Sequence, residues 1–321
     1  MKKKLLLIAL VLVMMVSAAA CGKKSIRVVI GSTSVTGDTY QIADIVSRAI
    51  AEEMGADIKV DPIGSDVLFK ELEKAGTDGS MIGFFHDYTF LGTLYGAYDQ
   101  NWLEKYNVGP TAAINAGTCL AVMENNKYGI TDWASLVEAA KTNKIVFGIE
   151  EGSVSNFISE GVKNYLVENE GVPAENITFS ALGGMSAQRE ALWAGTIDVF
   201  NGSYGADVAN TKEAGNTDTK TQMKIIAMTG KERLEGVDIP TLAELTGGEL
   251  FYEKEFFFIT TKDTDPAFVT ALETAVKNAL ENSAELDEQF KTNFFQKHFI
   301  SAQESITHFN EKMKEAESII K

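Results

Sequence analysis

The chain has 321 residues, of which 45% are hydrophobic, with two cysteines and a formal charge of −16. Such acidity excludes a nucleic-acid partner, because that binding needs a basic face. The length suffices for two domains with cores of ordinary size. The charge leaves the ligand class open and means that a bound anion must be held by local donors.

Lys2, Lys3 and Lys4, the apolar run Leu5 to Val16 and the small residues Ser17 to Ala20 form an export signal over 1–20. The run is shorter than the roughly 20 apolar residues of a membrane span. Cys21, directly after Ala18-Ala19-Ala20, resembles the lipobox cysteine of a bacterial lipoprotein, with Ala18 where that motif usually has Leu. This predicts lipid attachment at Cys21 and an extracytoplasmic protein held to the membrane by that lipid alone, with 21–25 as tether. Lipidation leaves Cys119 single, so no disulfide is expected.

Ile26 to Ile30 reads as a buried strand, followed by the small polar turn Gly31 to Thr39. A helix with Ile42, Ile45, Val46, Ala49 and Ile50 on one face then runs to about Met54 and stops at Gly55. With the strand Ile58 to Val60 it makes a βαβ unit, which implies parallel pairing. A helix at Val67 to Lys74 precedes the strand Ser80 to Phe85, which ends on His86-Asp87-Tyr88-Thr89, at the edge where open α/β sheets bind ligands. Ala112 to Met123 is a long apolar segment expected to cross into a second lobe. Thr131 is expected to cap an amphipathic helix over Thr131 to Lys141.

Ile145 to Phe157 then repeats the strand, small-residue turn and helix start, breaking at Gly148, with Ser153 or Ser155 available as N-cap. Gly183 to Ser186 opens a short helix over Ala187 to Ala194, and Thr196 to Phe200 is read as a strand ending on Asn201 to Tyr204. Lys224 to Met228 is another strand, and Phe256 to Thr260 returns to the first lobe. Amphipathic helix follows from Pro266.

The chain lacks a phosphate loop, a nucleophile elbow and an H-E-x-x-H zinc motif. Three histidines and one spare thiol do not compose a transition-metal site; His298 and His308 are expected on helical surfaces, and His86 is either a pocket contact or part of a solvated loop. Glu150-Glu151 reads as a charged loop, with Glu150 able to select an amine or hydroxyl on a ligand. The positive signal is the set of small-residue turns, none of which contains Lys or Arg. A carboxylate there would be held by hydroxyls and backbone N–H groups, with Arg189 the nearest candidate clamp. Asp198 is expected to cap a turn.

The order of these motifs resembles the tripartite tricarboxylate transporter substrate-binding proteins, or Bug receptors. The likeness spans roughly Ile26 to Lys291 and rests on the first turn before Tyr40, on Thr77-Asp78-Gly79, and on Thr131 to Lys141 followed by Ile145 to Phe157. It continues through Gly183-Gly184 with Ala191 to Val199 and through Asp238 to Glu244. The family's P-F-x-P-G-G-x-x-D loop is replaced here by Gly31 to Tyr40.

The resemblance implies an α/β protein of the two-domain periplasmic-binding-protein-like (type II) fold, each domain a mostly parallel sheet flanked by helices. The domains would be 26–123 with 254–321, and 124–253, hinged near Cys119 to Asn125 and Glu253 to Ile259. It further implies a monomeric receptor that closes on a small carboxylate and delivers it to membrane transporter subunits, without catalysis, cofactor or metal. The ligand-binding residues expected are Ser32, Thr33, Ser34, Thr36, Thr39, His86 and Asp87 from the first domain, and Gly152, Ser153, Ser155, Asn156 and Asn201 from the second. The competing readings are an exported α/β enzyme using Asp38, His86 or Asp198, and a receptor of the same fold for an ATP-driven importer.

Overall fold

The computed structural model describes residues 23–35, 37–96 and 101–320. The signal segment, Cys21 and Thr36 lie outside them. The first lobe is built on a six-stranded sheet of order β11-β4-β10-β3-β1-β2. Its strands are β1 (Lys24–Ile30), β2 (Ala56–Pro62), β3 (Met81–His86), β4 (Tyr106–Asn115), β10 (Lys254–Thr261) and β11 (Gln296–Lys297). Between them run helices α1 (Asp38–Ala51) and α2 (Ser65–Leu72).

Alternation along the strands divides the core of this lobe. Ile26, Val28 and Ile30 of β1 join Phe256 and Phe258 of β10 on the face covered by α1 and by α6 (Pro266–Asn282). Val29, Phe257 and Ile259 face the other way, toward Phe309 of α8 (Ala302–Ile319). Successive residues of a strand point to opposite faces. Lys254 and Glu255, at the start of β10, are therefore directed to opposite sides of the sheet.

The second lobe holds β5 (Thr118–Met123) between β8 (Phe200–Ser203) and β9 (Met223–Met228), and the parallel pair β6 (Ile145–Ile149) and β7 (Ile177–Ala181). A bridge from Phe147 to Val199 joins the two pieces. Around them pack α3 (Trp133–Thr142), α4 (Val154–Glu168) and α5 (Met185–Trp193). One more helix, α7 (Ala284–Thr292), precedes β11. Burying Ile158, Val162 and Leu166 on one face holds α4 in place, at roughly 1.5–3 kcal/mol for each side chain.

Several expectations are corrected. The first sheet is mixed, since β1 pairs parallel with β2 and β3 while β10 pairs antiparallel with β3 and β4, and β4 antiparallel with β11. In the second lobe β5 pairs antiparallel with both neighbours, so only β6 and β7 keep the expected parallel ladder. The apolar run 112–123 is two strands in different sheets, broken at Ala116-Gly117. β5 pairs with β8 and β9. Asp132, not Thr131, caps α3, because its carboxylate reaches the Ser135 amide in a reciprocal capping box. The strand read at 196–200 sits further on, at Phe200–Ser203, so Asn201 lies within it.

Gly161 marks a close approach between α4 and the segment that leads back to the first lobe. A Cβ there would stand 1.8 Å from the Tyr252 hydroxyl oxygen, and that tyrosine is buried. Gly161→Ala should therefore cost about 1–3 kcal/mol through forced displacement. Urea unfolding measures this; an unchanged midpoint would show that Tyr252 yields freely.

Candidate ligand-binding site

Among the described residues, the eight helices of eight or more residues divide by how they start. Asp132, Asp265, Ser283 and Ser301 each accept a backbone N–H in the first turn of α3, α6, α7 and α8. In contrast α1, α2, α4 and α5 begin after Gly37, Gly64, Ser153 and Gly184, and no side chain caps any of them. The open starts coincide with the small-residue turns. Gly37 closes the first turn, and the Thr33 methyl lies 3.2 Å from where a Gly64 Cβ would stand. A Gly184 Cβ would stand 3.8 Å from Glu150 Oε2, at the end of β6. Uncapped first-turn amides carry partial positive charge and donors, the local chemistry that holds an anion; in α1 the Asp38 carboxylate already takes one of them, the Thr39 N–H, at 2.8 Å.

The floor of the first-lobe turn is polar. Asp38, the first residue of α1, accepts the Asn115 amide at 2.8 Å and is paired with the Lys254 ammonium. Asn115 Oδ1 in turn receives the Gly117 amide at the lobe crossover. Burial works against the charged Asp38, but Lys254, His86 and Asn115 outweigh it and hold the carboxyl down at about 2. Burial, reinforced by Lys254, pushes His86 down to about 3 against the opposing pull of Asp38, so its imidazole is neutral near pH 7. His86 Nδ1 is buried and has no protein partner.

In the second lobe the hydroxyls are linked to one another. Ser153 is the residue before α4, yet its hydroxyl donates to the Glu150 carbonyl (2.7 Å) and meets Ser155 Oγ at 3.1 Å, leaving the helix uncapped. Ser155 Oγ accepts the Glu150 amide (2.9 Å) and the Gln188 side chain (3.3 Å). Gln188 also donates to the Gly183 carbonyl, which joins the two second-lobe turns. Asn201 donates to Ser159 Oγ at 2.8 Å behind them. Gln188 Oε1 and Asn201 Oδ1 are buried without a protein partner, an uncommon state that an additional donor would relieve. Tyr95, from the first lobe, crosses to this turn: its Cβ lies 3.6 Å and its ring 3.8 Å from a notional Gly152 Cβ, and its hydroxyl joins Asn156 (2.9 Å) and Glu160 (2.6 Å).

The expected residues therefore fall into distinct settings. Ser32, Thr33 and Ser34 lie in the first turn, where Ser32 Oγ accepts the Ser34 amide, and Thr39 is buried behind Asp38. Gly152, with φ +69°, forms the second turn with Ser153 and Ser155. Asn156 faces Tyr95 and Glu160. Asp87 points to the sheet face opposite His86, where it is fully buried, accepts the Glu255 amide and pairs with Lys312. Arg189 is bound to the buried Asp207 at 2.6 Å, Tyr204 packs on Phe294, and Asp198 accepts the Val146 amide.

Sequence reading missed Lys254, Asn115, Gln188 and Tyr95. Gln188 shares a helix face with Ala191 and Leu192, and a polar residue on that face is a readable signal. Lys254 carries none, since it lies 216 residues from its partner Asp38. A groove of about 930 Å³ also runs between α4 and α8, with Tyr88, Phe157 and Tyr252 among its lining and Glu160, Glu311 and Glu315 along its walls. It is separate from the serine turns.

No protein-family model matches the chain, and no curated protein matches it by sequence. Solved structures do match. A Rhodopseudomonas palustris protein with adipate superposes with a TM-score of 0.74 at 18% identity, covering 92% of this chain and 95% of that one. MatC of the same organism, with bound malate, gives 0.70 at 16% identity over 92% and 99%. A TctC solute-binding protein from Polaromonas gives 0.69 at 14% identity over 92% and 97%. These likenesses establish the two-domain periplasmic-binding-protein fold that the motif order implies. Among the described residues no helix is long and apolar enough to cross a membrane.

The Asp38–Lys254 pair makes a testable electrostatic claim. Asp38 has its pKa lowered in the folded chain, so its contribution to stability is present above the ordinary carboxyl value of 3.8 and is lost as pH falls through about 2. Replacing Lys254 with Met removes the largest opposing charge, so the Asp38 carboxyl should titrate at higher pH. Stability at pH 7 should fall by about 3–5 kcal/mol, because a buried charge is left unpaired. Carbon-detected NMR titration of Asp38 checks the first outcome and urea unfolding the second; an unmoved Asp38 titration would remove Lys254 from the site.

Proposed function

We propose that the chain is an extracytoplasmic solute-binding protein that captures a small organic carboxylate between its two lobes, at the turns 31–39 and 150–156. The observation that carries this reading is the distribution of helix caps. Among the helices of eight or more residues, the four starts beside the candidate turns are left open, whereas the other four are closed by Asp or Ser. Each capping side chain contributes typically about 1 kcal/mol to stability. Leaving that undone at one edge fits a site whose acceptor comes from the ligand.

The adipate and malate in two of the superposed proteins support a dicarboxylate for this chain. The unpartnered acceptors Gln188 Oε1 and Asn201 Oδ1, with Glu150 beside Gly184, favour one that also carries a hydroxyl or amine. Lys254 adds the positive charge that the turns themselves lack, although Asp38 already neutralises most of it. We assign residues 26–115 with 254–320 to one closing body and 118–253 to the other, joined at Ala116-Gly117 and near Glu253. Delivery to a tripartite tricarboxylate-type transporter, and anchoring through lipid on Cys21, complete the reading. An enzyme is disfavoured by the site's own chemistry: His86 titrates too low for proton transfer near neutrality, and burial raises the Cys119 thiol well above its ordinary value.

A thermal-shift screen of residues 22–321 against mono-, di- and tricarboxylates, hydroxy acids and amino acids tests this. A ligand at 100 times its dissociation constant adds about 2.7 kcal/mol of stability. Ser153→Ala with Ser155→Ala should remove the shift while leaving the folded spectrum intact. A shift that survives both substitutions would place the ligand elsewhere, and turnover of a compound would replace the receptor reading with an enzyme.

A further inference from the structure

On the sheet face opposite Lys254, three side chains from distant segments converge on one point. Glu255 is the second residue of β10 and is 6% exposed. His308 lies on a helix as expected, in the second turn of α8, whereas His298 follows β11 and is not helical, which corrects the expectation for that residue. His298 Nε2 lies 3.1 Å and His308 Nε2 2.7 Å from the same oxygen, Glu255 Oε2. One donor atom from each of the three residues lies within 4.8 Å of the other two. The second carboxylate oxygen, Oε1, accepts Lys312 Nζ at 2.7 Å, and Lys312 is itself paired with Asp87.

We propose that Glu255, His298 and His308 form a binding site for one divalent transition-metal ion of the zinc type, through Oε2 and the two Nε2 atoms. Two imidazoles and one carboxylate are a donor set suited to such an ion. At metal–ligand distances of about 2.0–2.2 Å, tetrahedral ligand atoms stand roughly 3.3–3.5 Å apart, so the His298 contact would open by about 0.2–0.4 Å and the His308 contact by about 0.6–0.8 Å. Lys312 does not compete for the coordinating oxygen. It fixes the other one, as outer hydrogen bonds fix metal ligands generally, and Asp87 offsets its charge. The carboxylate with two neutral imidazoles presents one net negative charge to the ion.

Access and consequence follow from position. The two histidine side chains are 28% and 39% exposed, which leaves a solvent side for entry and for a water as fourth ligand. An ion here would tie α8 to the first residues of β10, directly behind the Asp38–Lys254 pair. The inference stands independently of the carboxylate reading, since none of the three ligands belongs to the serine turns.

The test uses the untagged mature chain, residues 22–321, stripped with chelator and titrated with Zn²⁺ by calorimetry, with Co²⁺ as a spectroscopic stand-in. We expect one equivalent to bind, the melting temperature to rise, and cobalt to give the intense visible bands of tetrahedral coordination. His298→Ala and His308→Gln should each weaken binding by more than about 10-fold, since even outer-shell losses cost that much. No saturable binding, binding unchanged in both variants, or a pale six-coordinate cobalt spectrum in the unaltered protein would overturn the proposal. The last readout needs no substitution, so it decides even if a variant fails to fold.

Discussion

An α-helix that starts without a cap leaves its first amide hydrogens unsatisfied, and such groups seek an acceptor. In this protein the open starts are gathered where β1, β2 and β6 end and where α5 begins, at Gly37, Gly64, Ser153 and Gly184. The remainder of the architecture keeps them available. Ser153 stands at the cap position of α4, but its hydroxyl goes to the Glu150 carbonyl, while Ser155, inside the first turn, accepts the Glu150 amide and the Gln188 side chain. Their hydroxyls are therefore held as a fixed array beside the helix start, and geometry rather than a strong charge selects what binds.

The start of β10 connects this edge to the rest of the first lobe. Strand alternation sends Lys254 toward Asp38 and His86, and Glu255 toward Lys312, His298 and His308. Two consecutive residues thus place one ion pair under the candidate ligand turn and one polar cluster behind the sheet. Both lie at the start of β10, next to residues 253 and 254, where the proposed hinge returns to the first lobe. The Glu255 carboxyl illustrates the electrostatic bargain at such a place: burial opposes its charge, yet hydrogen bonds from both histidines and the Lys312 charge keep it well below the usual carboxylate range.

Local elements were readable where periodicity and capping act over a few residues. β1, α1 and the β6–turn–α4 unit fell where the apolar run Ile26 to Ile30 and the fourfold spacing of Ile158, Val162 and Leu166 placed them. The run 112–123 was read as one apolar segment because both of its strands are buried; Asn115, Gly117 and Thr118 were the available signs that it divides into two. Lys254, His298 and His308 were opaque for another reason. Their partners lie far away in sequence, and only the sheet order β11-β4-β10-β3 brings them together. The serine turns could be picked out as a candidate site, whereas the charges that surround them could not.

Amide hydrogen exchange measured with and without a hydroxy-dicarboxylate such as malate tests the central claim most directly, because it reports on both turns in one experiment. The account predicts that amides in 31–39 and 150–156 become protected together, with little change along the α4–α8 groove. Protection confined to that groove, or unchanged exchange at both turns for every carboxylate that stabilises the protein, would contradict it.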